Sequence, residues 1–150
     1  ARAVQRANRL ICADAHDGMF VTLFYGVIGA DDNHMTYVNA GHNPPLLISG
    51  EQVTPLEGRG IALGVLGSAH LEEKQATVRP GDIVLMYTDG LTEAINERQE
   101  QFGLDRLAQI ARCHHLPPDE LIDRIVKEQA SFVGSQPPFD DATIVVARRR

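Results

Sequence analysis

Short apolar runs joined by turns limit what this chain can fold into. Residues 20–28, 35–40, 46–48 and 52–56 are rich in β-branched and aliphatic side chains, and only a few residues separate one run from the next. Strands with such short links pair antiparallel, because a parallel connection needs a crossover of a dozen or more residues. The sequence therefore predicts an α+β fold of mainly antiparallel sheets, not a doubly wound fold. We expect the run at 20–28, which is apolar almost throughout, to be covered on both faces.

Helical periodicity flanks these strands. Val4, Ala7, Leu10 and Ile11 share one helix face, which predicts a helix to about residue 15. A second helix is predicted over 104–113. A third is predicted from Pro117-Pro118-Asp119-Glu120, with its core face formed by Leu121, Ile122, Ile125, Val126 and Ala130. Further strands are predicted over 71–78, 82–88 and 142–147.

Composition narrows the functional classes. The chain of 150 residues is long enough for one domain, over 1–150, with a sizeable core. Its formal net charge of −6 argues against nucleic acid as the main partner. No apolar run is long enough to cross a membrane, and the isolated Cys12 and Cys113 are typical of reduced thiols. We therefore expect a cytoplasmic protein without a membrane segment.

Asp89-Gly90 directly follows the apolar run over 82–88. That run begins after Pro80-Gly81 and predicts a buried strand, so Asp89 lies at the carboxyl end of the strand. One interpretation is that Asp89 only caps a helix that starts at Leu91. The other is that its carboxylate is a ligand, and this stretch alone does not decide between them.

Asp140 precedes the last predicted strand. If that strand and the one before Asp89 are antiparallel neighbours, Asp89 and Asp140 meet at one sheet edge. Carboxylates brought together repel each other unless a cation lies between them, and oxygen ligands favour magnesium or manganese. The sequence therefore predicts a metal site of Asp89 and Asp140, with Asp141 pointing the other way.

Four segments together resemble a known family: NAGHNPPLL (39–47), GDIVLMYTDGLTEA (81–94), FGLDRL (102–107) and FDDATIVV (139–146). They are similar to the bacterial SpoIIE/RsbU-type phosphatases, a branch of the PP2C (PPM) serine/threonine phosphatases. The resemblance extends over about residues 18–147. YTDGLTEA and FDDAT, in this order and spacing, are specific to it.

This resemblance implies a PP2C-like α-β-β-α sandwich with two Mn²⁺ or Mg²⁺ ions at one edge, where metal-activated water hydrolyses phosphoserine or phosphothreonine. Asp89 and Asp140 match metal ligands of the family, and Gly90 matches the glycine at which the chain turns. Two roles stay open for His42, a place near the substrate and a structural hydrogen bond from a tight turn. No other catalytic residue is predicted.

The family also has an earlier strand that ends in an aspartate bridging both metals, and no such motif precedes Ala1. We therefore expect this chain to be an N-terminally truncated part of the domain, with its first strands absent. Alone, it is expected to be inert, to bind manganese weakly and to expose a sheet edge that favours a homodimer.

The resemblance implies a parent protein that dephosphorylates a bacterial signalling protein, such as an anti-sigma-factor antagonist, under the control of an upstream sensor or receiver domain. The alternative is a non-catalytic PPM-like module that regulates a partner by binding it. A third reading is an unrelated α+β domain in which Asp89 is only a helix cap.

Overall fold

A computed structural model of the protein describes residues 1–14, 18–30, 32–113, 115–137 and 140–150. These residues divide into two compact units, Ala1–Pro44 with Leu56–Val78, and Pro45–Pro55 with Arg79–Arg150. In chain order the elements are α1 (Arg2–Asp14), β1 (Leu23–Ile28), β2 (His34–Ala40), β3 (Leu46–Ser49), β4 (Gln52–Pro55), β5 (Glu73–Thr77), β6 (Ile83–Tyr87), α2 (Asp89–Thr92), α3 (Gly103–Ala111), α4 (Pro118–Val133) and β7 (Ile144–Arg148).

The first unit contains a three-stranded antiparallel sheet in the order β1-β2-β5. Its core joins α1 to one face of β2 and to the segment that follows β4. The buried members are Val4, Val38, Ala40, Leu63 and Leu71. On the other face of β2, the Tyr37 ring stacks on Phe24 with centroids 5.3 Å apart, and its hydroxyl donates to the Glu57 carbonyl.

The prediction that residues 20–28 are covered on both faces is wrong. Only Leu23–Ile28 form the strand, and Phe20, Tyr25 and Val27 are 61%, 45% and 51% exposed. Among the described strands β1 is hydrogen-bonded to β2 alone, so it lies at an edge of its sheet. An apolar run shows that a strand is able to be buried, but whether it is buried depends on the elements that pack against it.

Helix α1 packs with most of its predicted face, since Val4 is buried and Ile11 packs against the core, but Leu10 does not join them. Val4 and Asn8 are buried, whereas Leu10 is 61% exposed. The Asn8 side chain donates to the Leu66 carbonyl at 2.8 Å, and its Oδ1 accepts the Gly64 N–H at 3.0 Å. A polar residue therefore holds residues 58–67, the glycine-rich segment, against α1, because its hydrogen bonds offset the cost of its burial. The predicted end of this helix, near residue 15, lies outside the described residues.

The second unit contains a four-stranded antiparallel sheet in the order β4-β3-β6-β7. Alternate residues of β6 point to α3 and α4, as the two-residue period of a strand requires. This core contains Ile83, Leu85 and Tyr87 from β6, Leu46 and Ile48 from β3, and Leu107, Leu121 and Ile125 from the helices.

The helices of this unit begin and end close to the predicted positions. Leu121 and Ile125 of α4 are fully buried as predicted, but Val126 is 47% exposed because it lies one residue beyond the packed face. No helix in the described ranges is long and apolar enough to span a membrane. Cys12 and Cys113 are free thiols.

Candidate metal site

The candidate site is built where β6 ends and β7 begins. These strands pair antiparallel, and their last partners at this edge are Tyr87 and Ile144. The condition on which the predicted metal site depended, that the two strands are antiparallel neighbours, is thus met. Asp89 follows β6 and Asp140 precedes β7, so the chain delivers both residues at the same edge of one sheet.

Thr88 joins the segment that follows β6 to the segment that precedes β7 by hydrogen bonds. Its backbone N–H donates to the Thr143 carbonyl at 3.1 Å, and its Oγ1 accepts the Thr143 N–H at 2.9 Å. The same hydroxyl donates to the Asp141 carbonyl at 3.1 Å. One threonine thereby fixes the segment that enters β7 beside the segment that leaves β6. No role was predicted for Thr88 from the sequence, which placed it as the last residue of the strand over 82–88, whereas the observed strand ends at Tyr87.

Gly90 is buried against the same segment. A Cβ placed on it would lie 2.6 Å from the Asp141 carbonyl oxygen and 2.8 Å from its carbon, distances that real Cβ atoms do not show. Both are backbone atoms, which cannot rotate away. The glycine of the Asp-Gly pair is therefore required by close packing of the two segments.

The structure contradicts the view of Asp89 as a simple helix cap. The N-cap of α2 is Thr88, it makes no side-chain capping bond, and Asp89 is the first helical residue. Among the described residues, the Asp89 Oδ1 accepts only the N–H of its own neighbour, Gly90, at 3.0 Å. Because α2 has only four residues, it gains little from a cap in any case.

Asp140 resembles Asp89 in its surroundings. Its Oδ1 accepts the N–H of the next residue, Asp141, at 2.7 Å, and the side chain is exposed. Within the described ranges, neither Asp89 nor Asp140 forms an ion pair with a basic side chain. Each carboxylate therefore has one oxygen that no described protein group binds, which fits a hard divalent cation that takes oxygen ligands.

The donor set is small. Among the described residues, no group of three or more His, Cys, Asp or Glu side chains is placed to hold a metal ion. Two carboxylates at one edge suit an ion that keeps several waters, as Mg²⁺ commonly does.

His42 belongs to a tight turn in the first unit. The Asn39 side chain accepts the His42 N–H at 2.8 Å and donates to the His42 carbonyl at 2.9 Å, and Gly41 between them has φ 74°. The His42 Nδ1 is 3.1 Å from the Thr22 Oγ1. The Asn39 bonds involve the His42 main chain, and the Thr22 contact involves its side chain, which fits the structural hydrogen bond considered from the sequence. Which of the two roles His42 has stays a prediction.

The sequence profile of the family described as Stage II sporulation protein E (SpoIIE) matches residues 1–150. The chain belongs to the SpoIIE family. It is 31% identical over 149 residues to Protein IcfG of Synechocystis sp. (strain ATCC 27184 / PCC 6803 / Kazusa), covering 98% of this chain and 24% of IcfG. It is 27% identical over 154 residues to the phosphoserine phosphatase RsbU of Bacillus subtilis (strain 168), covering all of this chain and 45% of RsbU. The chain thus spans less than half the length of either relative.

Solved structures of SpoIIE-type domains share the fold. The PP2C phosphatase domain of SpoIIE from Bacillus subtilis, solved with a fragment of its regulatory domain, superposes with a TM-score of 0.80 at 21% identity. The match covers 97% of this chain and 43% of that one. The predicted α+β fold of PP2C type, with mainly antiparallel sheets, is confirmed, as is the resemblance to the SpoIIE and RsbU proteins.

Proposed function

We propose that this chain carries the metal-binding edge of a metal-dependent protein serine/threonine phosphatase. The observation that carries the proposal is the antiparallel pairing of β6 with β7, which brings Asp89 and Asp140 to one edge of a sheet. Membership of the SpoIIE family and likeness to RsbU, a phosphoserine phosphatase, support the same activity.

In this proposal Asp89 and Asp140 hold the metal, which is Mn²⁺ or Mg²⁺, two ions in a complete domain. Bound divalent ions neutralise phosphate charge and lower the pKa of coordinated water. The contribution of this chain is to position the two carboxylates. Thr88 fixes the start of β7 by three hydrogen bonds, and Gly90 lets the backbones approach closely enough for the carboxylates to share an edge.

The substrate is a phosphoserine or phosphothreonine on a bacterial signalling protein, and an anti-sigma-factor antagonist is the class implied by the resemblance. An upstream sensor or receiver domain is the expected regulator, and the protein is expected to act in the cytoplasm and to form a homodimer. The exposed carboxylates leave room for a protein substrate to approach the edge.

The second candidate is a non-catalytic PPM-like module that binds a partner. One observation favours it: the described residues contain no cluster of three or more potential metal ligands. Two carboxylates are a minimal donor set for catalysis that uses two ions.

The experiment is Mn²⁺-dependent hydrolysis of a phosphoserine protein by the full-length protein and its Asp89→Asn variant. The asparagine keeps the shape of the side chain and removes its charge. We expect the activity of the variant to fall by about a hundredfold or more. Changing a residue that only contacts a metal ligand typically costs about 10–100-fold, and a ligand itself is expected to cost more. Circular dichroism is expected to show an unchanged fold.

The matched control is Glu93→Gln, which neutralises an exposed carboxylate four residues further along the same stretch. It is expected to keep activity near that of the wild type. Near-normal turnover by Asp89→Asn would contradict the metal assignment, and a wild-type protein without turnover would favour the non-catalytic module.

A further inference from the structure

A cavity of about 410 Å³ adjoins the candidate metal edge within the second unit. Asp140, Asp141 and Gly90 form one part of its wall, and residues at the carboxyl end of α4 form another. Its volume lies in the range of about 300–1,000 Å³ that is typical of ligand pockets. Because Asp140 belongs to both the cavity and the proposed metal site, the occupant of one lies next to the occupant of the other.

The wall combines apolar surface with negative charge. Ala94, Ile95 and Val133 supply apolar surface. Among the described lining residues two are acidic and none is basic, and of the two Asp141 lies outside the proposed metal site. Helix α4, of 16 residues, ends at this wall. The carboxyl end of a helix carries partial negative charge, which adds to that of the carboxylates.

We propose that this cavity is a subsite for a lysine or arginine side chain of the phosphoprotein substrate. The proposal rests on the phosphatase function proposed above. A lysine or arginine buries an apolar stem and presents a charged head, which matches an apolar wall with an acidic rim. Since an extended residue spans about 3.3–3.6 Å, the basic residue lies within a few positions of the phosphoserine.

The test uses phosphoserine peptides and the full-length protein with Mn²⁺. A single lysine is moved through the three positions on either side of the phosphoserine in an alanine background. At each position it is compared with norleucine, which has a similar apolar stem and no charge, and with glutamate. At the best position we expect kcat/KM about tenfold higher for lysine than for norleucine, the lower end of measured couplings between close charge pairs. Glutamate is expected to be the poorest.

Gln136→Lys tests the location. Gln136 lines the cavity and has no part in the proposed metal site, so a lysine there adds a repelling charge. We expect the lysine preference to fall to about one while kcat/KM for the norleucine peptide is kept. Gln109→Lys, the same change on the exposed face of α3, is expected to retain the preference.

The outcomes distinguish a failure of the proposed subsite from a failure of the proposed phosphatase activity. Equal kcat/KM for lysine and norleucine peptides at every position, or a lysine preference unchanged in Gln136→Lys, overturns the subsite. Hydrolysis of p-nitrophenyl phosphate shows separately whether the proposed reaction takes place. If it does not, fluorescence anisotropy of the labelled peptides still measures the preference for lysine. Equal affinities then overturn the subsite, and a lysine preference lost in Gln136→Lys supports it.

Discussion

Gly90 is the residue at which the packing of the candidate site is tightest. Its Cα faces the backbone of Asp141, and this contact, with the three bonds of Thr88, places the start of β7. A side chain on residue 90 has to displace that backbone, and with it Asp140. Stability and the geometry of the carboxylates are therefore linked at this residue.

Gly90→Ala is expected to lower the free energy of unfolding by about 1–3 kcal/mol, the usual cost of forcing extra atoms into a packed site. Urea unfolding measures the change. Gly67→Ala is the control, because a Cβ on Gly67 meets no atom within 4 Å. Equal unfolding midpoints for the two variants would contradict the close packing of Gly90 against Asp141.

Tyr87 makes stability depend on pH in alkaline solution. Burial raises the pKa of Tyr87 above its usual value of 10.0. The unfolded chain therefore loses this proton at a lower pH than the folded chain, so the free energy of unfolding falls as pH rises through about 10 and above. Below that range the phenol is neutral in both states and contributes no slope.

Tyr87→Phe is expected to reduce this alkaline loss of stability, measured by urea unfolding at several pH values between about 8 and 11. Part of the loss is expected to remain, because burial and the neighbouring Glu72 and Glu57 also raise the pKa of Tyr37. Tyr25, which is 45% exposed, provides the control substitution. If the free energy of unfolding falls with pH equally in the wild type and in Tyr87→Phe, ionisation of Tyr87 is not the cause of the alkaline loss of stability.

At the scale of elements, one buried polar side chain adds hydrogen bonds between α1 and the glycine-rich segment to the apolar contacts that already join them. Asn8 is 1% exposed and bonds to both Gly64 and Leu66. These bonds join residues more than 50 positions apart in sequence, as their separations of 56 and 58 show.

Asn8→Ala is expected to destabilise the protein by about 1–3 kcal/mol, because a part-buried N–H and a part-buried carbonyl lose their partner. Hydrogen exchange is expected to quicken at the Gly64 amide. Gln5→Ala on the same helix, which removes no side-chain bond to any residue that the structure describes, is expected to change stability by less than about 0.5 kcal/mol. Unchanged protection of Gly64 in Asn8→Ala would contradict the role of Asn8.

At the scale of the whole molecule, the residues that stabilise the fold differ from those assigned to chemistry. Leu85 is fully buried in the core of the second unit, whereas Asp140 is exposed. Leu85→Ala is expected to cost about 2–5 kcal/mol. Asp140→Asn is expected to change stability by less than about 0.5 kcal/mol, since the amide oxygen still accepts the Asp141 N–H. Thermal melts without metal measure the stability of both variants. An Asp140→Asn protein less stable than Leu85→Ala would contradict this expectation.

The sequence predicted the elements well where local pattern and packing agree. The strands before Asp89 and after Asp140 were predictable from apolar runs bounded by turn residues, but their pairing was only a condition of the predicted site, because more than 50 residues separate them. Burial was less predictable. The exposure of β1 depends on its neighbours in the sheet, and Asn8 is buried only because a distant segment supplies its partners. Neither the exposure of β1 nor the burial of Asn8 can be read from the residues next to it in sequence.

The most direct test is calorimetric titration of the full-length protein with Mn²⁺, comparing wild type, Asp89→Asn, Asp140→Asn and the double variant. If both carboxylates hold the same ion, each single change weakens binding strongly and the double change adds little, because residues that act on one ligand are not additive. Glu93→Gln is expected to bind as wild type does. Wild-type affinity in either single variant, or independent additive losses, would show that Asp89 and Asp140 do not form one metal site.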